Sequence, residues 1–160
     1  MKENIIYRER RASTGIFALL FFVTIAMIVW FVFQLTRGPV GSNPAPDWVL
    51  GLLIVLFALL TINFRHIEIK LTDEYIKVSY GIFSTRLNWE DVIDCEQDEK
   101  NHFYGWGIRF GRYKKQWVQV YNVIGGPRLV FLTGSSKGLI VSTKHPQEII
   151  NIAKGKIGKT

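Results

Sequence analysis

Cysteine is nearly missing from this chain, and Cys95 standing alone excludes both an intramolecular disulfide and a cysteine-based zinc cluster. Its neighbours Asp94, Glu96, Asp98 and Glu99 are acidic and raise rather than lower a thiol pKa, so an activated nucleophile is not expected. His66, His102 and His145 fall on three separate segments. The glycines at 105, 107 and 111 miss the G-x-G-x-x-G spacing, no helix is expected after them, and no G-x-x-x-x-G-K-[ST] run occurs, which removes the two common phosphate loops. Gly105 and Gly107 instead point to close packing or a sharp bend on one strand. The acidic run at 94–100 lacks the D-x-[DN]-x-[DN]-G ladder of a calcium loop and reads as a solvated strand edge. No catalytic residue, metal ligand or cofactor is expected.

Charge is also missing, but only locally. Residues 15–35 and residues 48–64 contain no ionisable side chain, while the first stretch holds 14 Leu, Ile, Phe or Val residues and the second holds 12. At about 1.5 Å per residue they reach roughly 31 and 26 Å, against a hydrocarbon core of about 30 Å. Both are apolar all round, which a soluble amphipathic helix is not, so each is expected to be a transmembrane helix. The first is too long for a signal-peptide core and runs to Phe33 and Leu35 without a small-residue cleavage site, so an uncleaved anchor is expected. Residues 36–47, with Gly38, Pro39, Gly41, Pro44 and Pro46, form a short turn-rich external loop. Arg8, Arg10 and Arg11 precede the first stretch and Arg65, His66 and Lys70 follow the second, while the loop holds Arg37 alone. The positive-inside rule therefore puts both termini in the cytoplasm, with residues 1–14 a cytoplasmic segment, and makes this a multi-pass cell-membrane protein. The spans carry only Thr24, Gln34, Thr61 and Asn63 as polar residues, which disfavours an ion path through this chain alone. The net charge of +7 then points to lipid headgroups rather than nucleic acid, since the bilayer is the nearer polyanion.

From His66 the hydrophobic period changes to two. Ile67, Ile69 and Leu71 alternate with polar residues, as do Ile76, Val78 and Tyr80, which predicts two half-buried strands joined by a turn at Thr72–Glu74. Further strands are predicted at 85–89, 92–97, 104–110, 117–121, 128–132 and 138–142, a spacing typical of an antiparallel sandwich or barrel. The chain ends in one predicted helix opened by Pro146 and stopped by Gly155, with Pro146, Ile149, Ile150 and Ala153 on one stripe.

Two apolar spans, the run LTDEYIKVSYGIFSTRLNWEDV, the strand YGWGIRF and the stretch YNVIGGPRLVFLTGSSKGLIVSTKHPQEI before a terminal helix resemble the bacterial pleckstrin-homology-like (PH-like) family of membrane-anchored proteins. Where relatives carry an acidic residue before the proline, this chain has Lys144 and His145. The resemblance implies an α+β membrane protein: a two-helix transmembrane hairpin followed, over residues 65–160, by a cytoplasmic PH-like barrel of about seven strands with a C-terminal helix, and no enzymatic activity.

One segment draws attention as a site. In RFGRYKKQW, Arg109, Arg112, Lys114 and Lys115 alternate with Phe110, Tyr113 and Trp117, a composition suited to a membrane surface or a partner protein. Arg109, Arg112, Tyr113, Lys114, Lys115 and Trp117 are the candidate contacts, set against an ordinary solvated hairpin tip. The expected function is a non-catalytic adaptor or assembly subunit, bound to the bilayer and to a protein partner or a second copy of itself, with anionic headgroups as further ligands. The alternative is an accessory subunit of an export, resistance or transport system.

Overall fold

The computed structural model describes residues 4–39, 41, 43–98, 105–134 and 137–157. Of the residues singled out in the sequence, Glu99, Lys100, His102 and Tyr104 lie outside the described residues. The chain begins with a strand, β1 (Ile5–Ala12), and then enters two helices, α1 (Thr14–Arg37) and α2 (Asp47–Asn63). Eight more strands follow: β2 (His66–Thr72), β3 (Tyr75–Tyr80), β4 (Phe83–Asn88), β5 (Val92–Gln97), β6 (Gly107–Tyr113), β7 (Gln116–Asn122), β8 (Arg128–Thr133) and β9 (Lys137–Ser142). A 3-10 turn at Trp89–Asp91 lies between β4 and β5, and helix α3 (Pro146–Ile157) closes the sequence.

The helix α1, 24 residues and about 36 Å long, is long and apolar enough to cross a membrane. The helix α2 is apolar too but shorter, at 17 residues, so the structure supplies one full-length span where two are expected. The two pack as an antiparallel pair whose polarity is inverted relative to a water-soluble hairpin. The only buried side chains of α1 are Thr24 and Gln34, and the only one of α2 is Thr61. Thr24 and Thr61 hydroxyls meet at 3.3 Å between the helices, and the Gln34 amide donates to Ala45 O and Asp47 Oδ1 at 2.9 and 2.7 Å. Phe22, Val29, Trp30, Leu52 and Ile62 point outward instead.

The strand β1 corrects the expected boundaries. Residues 5–12 of the N-terminal segment belong to the sheet, because β1 pairs antiparallel with β2 from Ile5↔Thr72 to Ala12↔His66. The period-two pattern was masked there by four charged residues, of which Glu9 faces inward. The Glu9 carboxylate is buried and accepts from Tyr7 Oη (3.0 Å), Thr143 Oγ1 (2.5 Å) and the Lys144 amide (2.7 Å), tying β1 to the junction of β9 and α3. The folded domain is therefore discontinuous: β1, an inserted helical pair, then β2 to α3.

The strands form two sheets, of order β1-β2-β3-β4 and β5-β8-β9-β7-β6, all antiparallel except β7 with β9. Among the described residues nine strands stand where about seven are expected, and the sheets do not close into a barrel, since each retains two edge strands there. Ile67, Ile69, Leu71, Ile76, Val78 and Tyr80 of the first sheet face Tyr121, Leu129, Phe131, Leu139 and Val141 of the second, as the alternation requires. Ile149, Ile150 and Ala153 of α3 cover the core on the predicted stripe. The helix passes through Gly155 to Ile157, because Ile152 and Ile157 add to the apolar contact and outweigh the glycine.

Strand ends sort into a helix side and a far side. Ala12 and His66 adjoin the helices in sequence, and the side chain of Asn63, the last residue of α2, accepts from the Ile82 amide (2.8 Å) and donates to Tyr80 O (3.2 Å), fixing the β3–β4 turn beneath α2. In the second sheet, Gly107 abuts Ile16 and Ile124 abuts Gly15, both in the first turn of α1. On the far side the Gly134 amide donates to Asp91 O at 3.1 Å, and Gln116 Nε2 donates to Thr133 O at 2.8 Å. The β6–β7 turn thus lies at the end of the domain opposite the helices.

Candidate functional site

Along β7 the inward positions are Trp117, Gln119 and Tyr121, alternating with outward Val118 and Val120. Tyr121 lies in the core, where burial raises its hydroxyl pKa although the hydrogen bond with Thr85 opposes the rise, so the group stays protonated at neutral pH. Gln119 is one step farther out, and its Oε1 accepts from Thr85 of β4 at 2.7 Å. Beyond it the first sheet ends at β4, while the second continues through β7 to β6. The inward-facing residues at that corner have no opposing strand.

The result is an open cleft of about 620 Å³ between the edge of β4 at Thr85–Leu87 and the β6–β7–β9 corner, with Leu87 and Leu139 beneath and Phe110, Trp117 and Lys137 around it. Phe110 is 76% exposed and Trp117 56%, high values for large aromatic side chains at inward-facing positions. Arg112 pairs with Trp117 across the hairpin and sets its guanidinium 5.6 Å from the indole centroid. Both β4 and β6 are edge strands among the described residues, so a sheet edge borders the cleft on two sides.

The hairpin divides the predicted contact residues. Trp117 lines the cleft with Phe110, and Arg112 lies beside the Trp117 ring. Arg109 pairs with outward Val120, and its Nε donates to Trp106 O at 3.3 Å. Tyr113 packs on the outer apolar cluster of Val118, Val120, Val130 and Ile140. Lys114 reaches Glu96 at 2.7 Å, and although burial alone would raise that carboxyl, this hydrogen bond holds it below the usual glutamate range. Lys114 and Lys115 form the two-residue turn with φ of 45° and 69°. The strand β6, seven residues at about 3.4 Å each, runs from Gly107 beside α1 to that turn, so the lysines lie at the end of the domain away from α1. Of the six expected contacts, Arg112 and Trp117 stand side by side, and the two lysines lie apart from them in the turn.

Thr85, Gln119, Lys137 and Leu139 were not among the predicted contacts. Their participation follows from the unequal widths of the two sheets, for which the local pattern holds no signal. Cys95 is buried, and burial together with the charge of Asp94 pushes its thiol up to about 12, which makes it unreactive at neutral pH. No cluster of metal-ligating side chains occurs among the described residues. No known protein family, curated protein or solved structure matches the chain, and the cleft is the feature from which function is argued.

Proposed function

We propose that this protein is a membrane-anchored, non-catalytic adaptor whose cleft between β4 and β6 holds an extended segment of a partner protein. The observation that carries the proposal is the pair of exposed rings, Phe110 and Trp117, set beside two strands that end their sheets among the described residues. An added peptide strand would hydrogen-bond to an edge while its alternate side chains enter the cleft, the mode in which backbone pairing supplies affinity and pockets supply specificity. Arg112 and Lys137 favour an acidic residue beside the apolar one.

The anchor in this reading is the α1–α2 pair. A hairpin that buries its threonines and glutamine and exposes its phenylalanines and leucines is arranged for a solvent less polar than itself. Both helices then cross the cell membrane, α2 at the lower limit of length, with both chain ends and the domain on the cytoplasmic side where Arg11, Arg65 and Lys144 gather. In this reading the domain is PH-like on the resemblance of its sequence alone.

The test is site-specific incorporation of a benzophenone amino acid at Phe110 or Trp117 of the full-length protein in cells, with Ser79 on the outer face of the first sheet as control. Adducts of discrete mass from 110 and 117 and none from 79 are expected. Identical adducts from all three positions, or none from either cleft position, would remove the cleft as the binding site. A polytopic transporter among the adducts would make the adaptor an accessory subunit.

A further inference from the structure

We infer that the helix-side rim of the domain is itself a lipid-binding surface, seated in the headgroup layer of the leaflet that α1 enters. This inference rests on the anchor reading above and adds to it the position of the domain against the bilayer. Its starting point is the β3–β4 turn. A two-residue turn in water ordinarily carries Gly, Asn or Asp, yet here Gly81 is followed by Ile82, which at 84% exposure is the most exposed of the large apolar residues described. Asn63 holds that turn by two hydrogen bonds to the last turn of α2, so Ile82 is fixed at the level where α2 leaves the apolar zone. Phe83, also exposed, stacks on Phe64 at 6.0 Å just past the same helix end.

The second sheet repeats the arrangement at α1. Ile124, 47% exposed, lies so close to Gly15 that a Cβ there would collide with its side chain. Trp106 is exposed next to Gly107, whose absent side chain leaves room for Ile16. Apolar and aromatic groups from three connections, one in the first sheet and two in the second, thus converge on one level, at the ends of both helices. Arg65 and Lys144 are exposed at that level, the charge that an anionic leaflet attracts and the aromatic chemistry that headgroup depth favours. Because these residues ring the helix ends, the medium around the helices at that height is also the medium they contact. Interfacial groups of this kind lie about 5–10 Å into the boundary between headgroups and acyl chains.

The experiment uses full-length protein with Cys95→Ala as background, reconstituted into vesicles of phosphatidylethanolamine and phosphatidylglycerol. Single nitroxide labels are placed through Ile82→Cys, Ile124→Cys, Lys115→Cys and Phe22→Cys, and their collision with oxygen and with a water-soluble nickel complex is measured. Positions 82 and 124 are expected to lose nickel accessibility relative to 115 while remaining shallower than 22. If 82 and 124 match 115 while 22 is deep, the rim stands clear of the lipid and the inference fails with the anchor intact. If 22 is itself open to nickel, the anchor reading fails and takes the inference with it. Ile82 is a turn tip and tolerates the change, so its result stands even where Ile124→Cys perturbs packing on Gly15.

Discussion

Replacing Glu9 with alanine should destabilise the domain as strongly as a core truncation, although the residue lies in a segment that reads as a basic tail. The carboxylate is 6% exposed and takes three hydrogen bonds, two of them from Thr143 and Lys144 at the start of the turn into α3. A hydrogen bond to a charged group contributes about 1.5–3 kcal/mol net, and an orphaned buried donor costs about 1–3 kcal/mol. The Thr143 hydroxyl can rotate to another acceptor but the Lys144 amide cannot, so the combined loss is about 2–4 kcal/mol. Against a total stability of about 5–15 kcal/mol that is a large fraction. The measurement is urea unfolding of the full-length protein in mild detergent, followed by near-ultraviolet circular dichroism. With a slope of about 2 kcal/mol/M the midpoint should fall by about 1–2 M. Glu9→Gln keeps one acceptor and should fall between the two. A midpoint for Glu9→Ala within about 0.5 kcal/mol of wild type, the range of an ordinary surface change, would refute the docking of β1.

Three further outcomes follow from local geometry. Lys115→Gly should stabilise the domain by about 0.5–1 kcal/mol, because a left-handed backbone costs a lysine more than glycine loses in chain entropy, and a lower urea midpoint would contradict it. Burial alone would raise the Glu68 carboxyl, but hydrogen bonds from Arg8 and Lys70 hold it below its ordinary 4.5. Its contribution is therefore complete above that value and is lost as pH falls through the lower folded pKa, so unfolding midpoints should hold from neutral to about pH 5 and then drop, with Glu68→Gln blunting the drop. Cys95 should resist iodoacetamide at pH 8 in the native protein and react promptly once urea exposes it; equal rates in both states would show that the thiol is not enclosed.

How much of this was legible depends on whether a signal is local. The alternation of Ile67, Ile69 and Leu71 with charged partners placed β2 correctly, and β5 was predicted residue for residue at Val92–Gln97. In β1 the same alternation was hidden, since burial of Glu9 makes sense only beside Thr143, which lies 134 residues away. The strand predicted at 104–110 begins at Gly107 and runs to Tyr113, because Gly105 and Gly107 both take positive φ and turn the chain before pairing starts. The polar residues of the two apolar stretches were visible, but their matching of Thr24 to Thr61 and Gln34 to Asp47 required the helices to be laid side by side. The cleft was half visible: Trp117 and Arg112 stood out by composition, whereas Thr85 and Lys137 depend on where the first sheet stops.

An insertion between the first and second strands has a consequence for biogenesis. Arg8 and the Glu68 it pairs with are 60 residues apart, which at a synthesis rate of about 5–20 residues per second leaves the first strand waiting for about 3–12 s before its neighbour emerges. In the proposed two-span arrangement the apolar segments enter the membrane during that interval, and only a looped delivery returns the later strand to the compartment where the earlier one waits. A molecule whose segments were threaded the wrong way would be left with an incomplete sheet and a stranded edge. Under that proposed arrangement, maturation of the domain would act as a built-in checkpoint on insertion, readable in cells as protease resistance acquired only after both segments are in place.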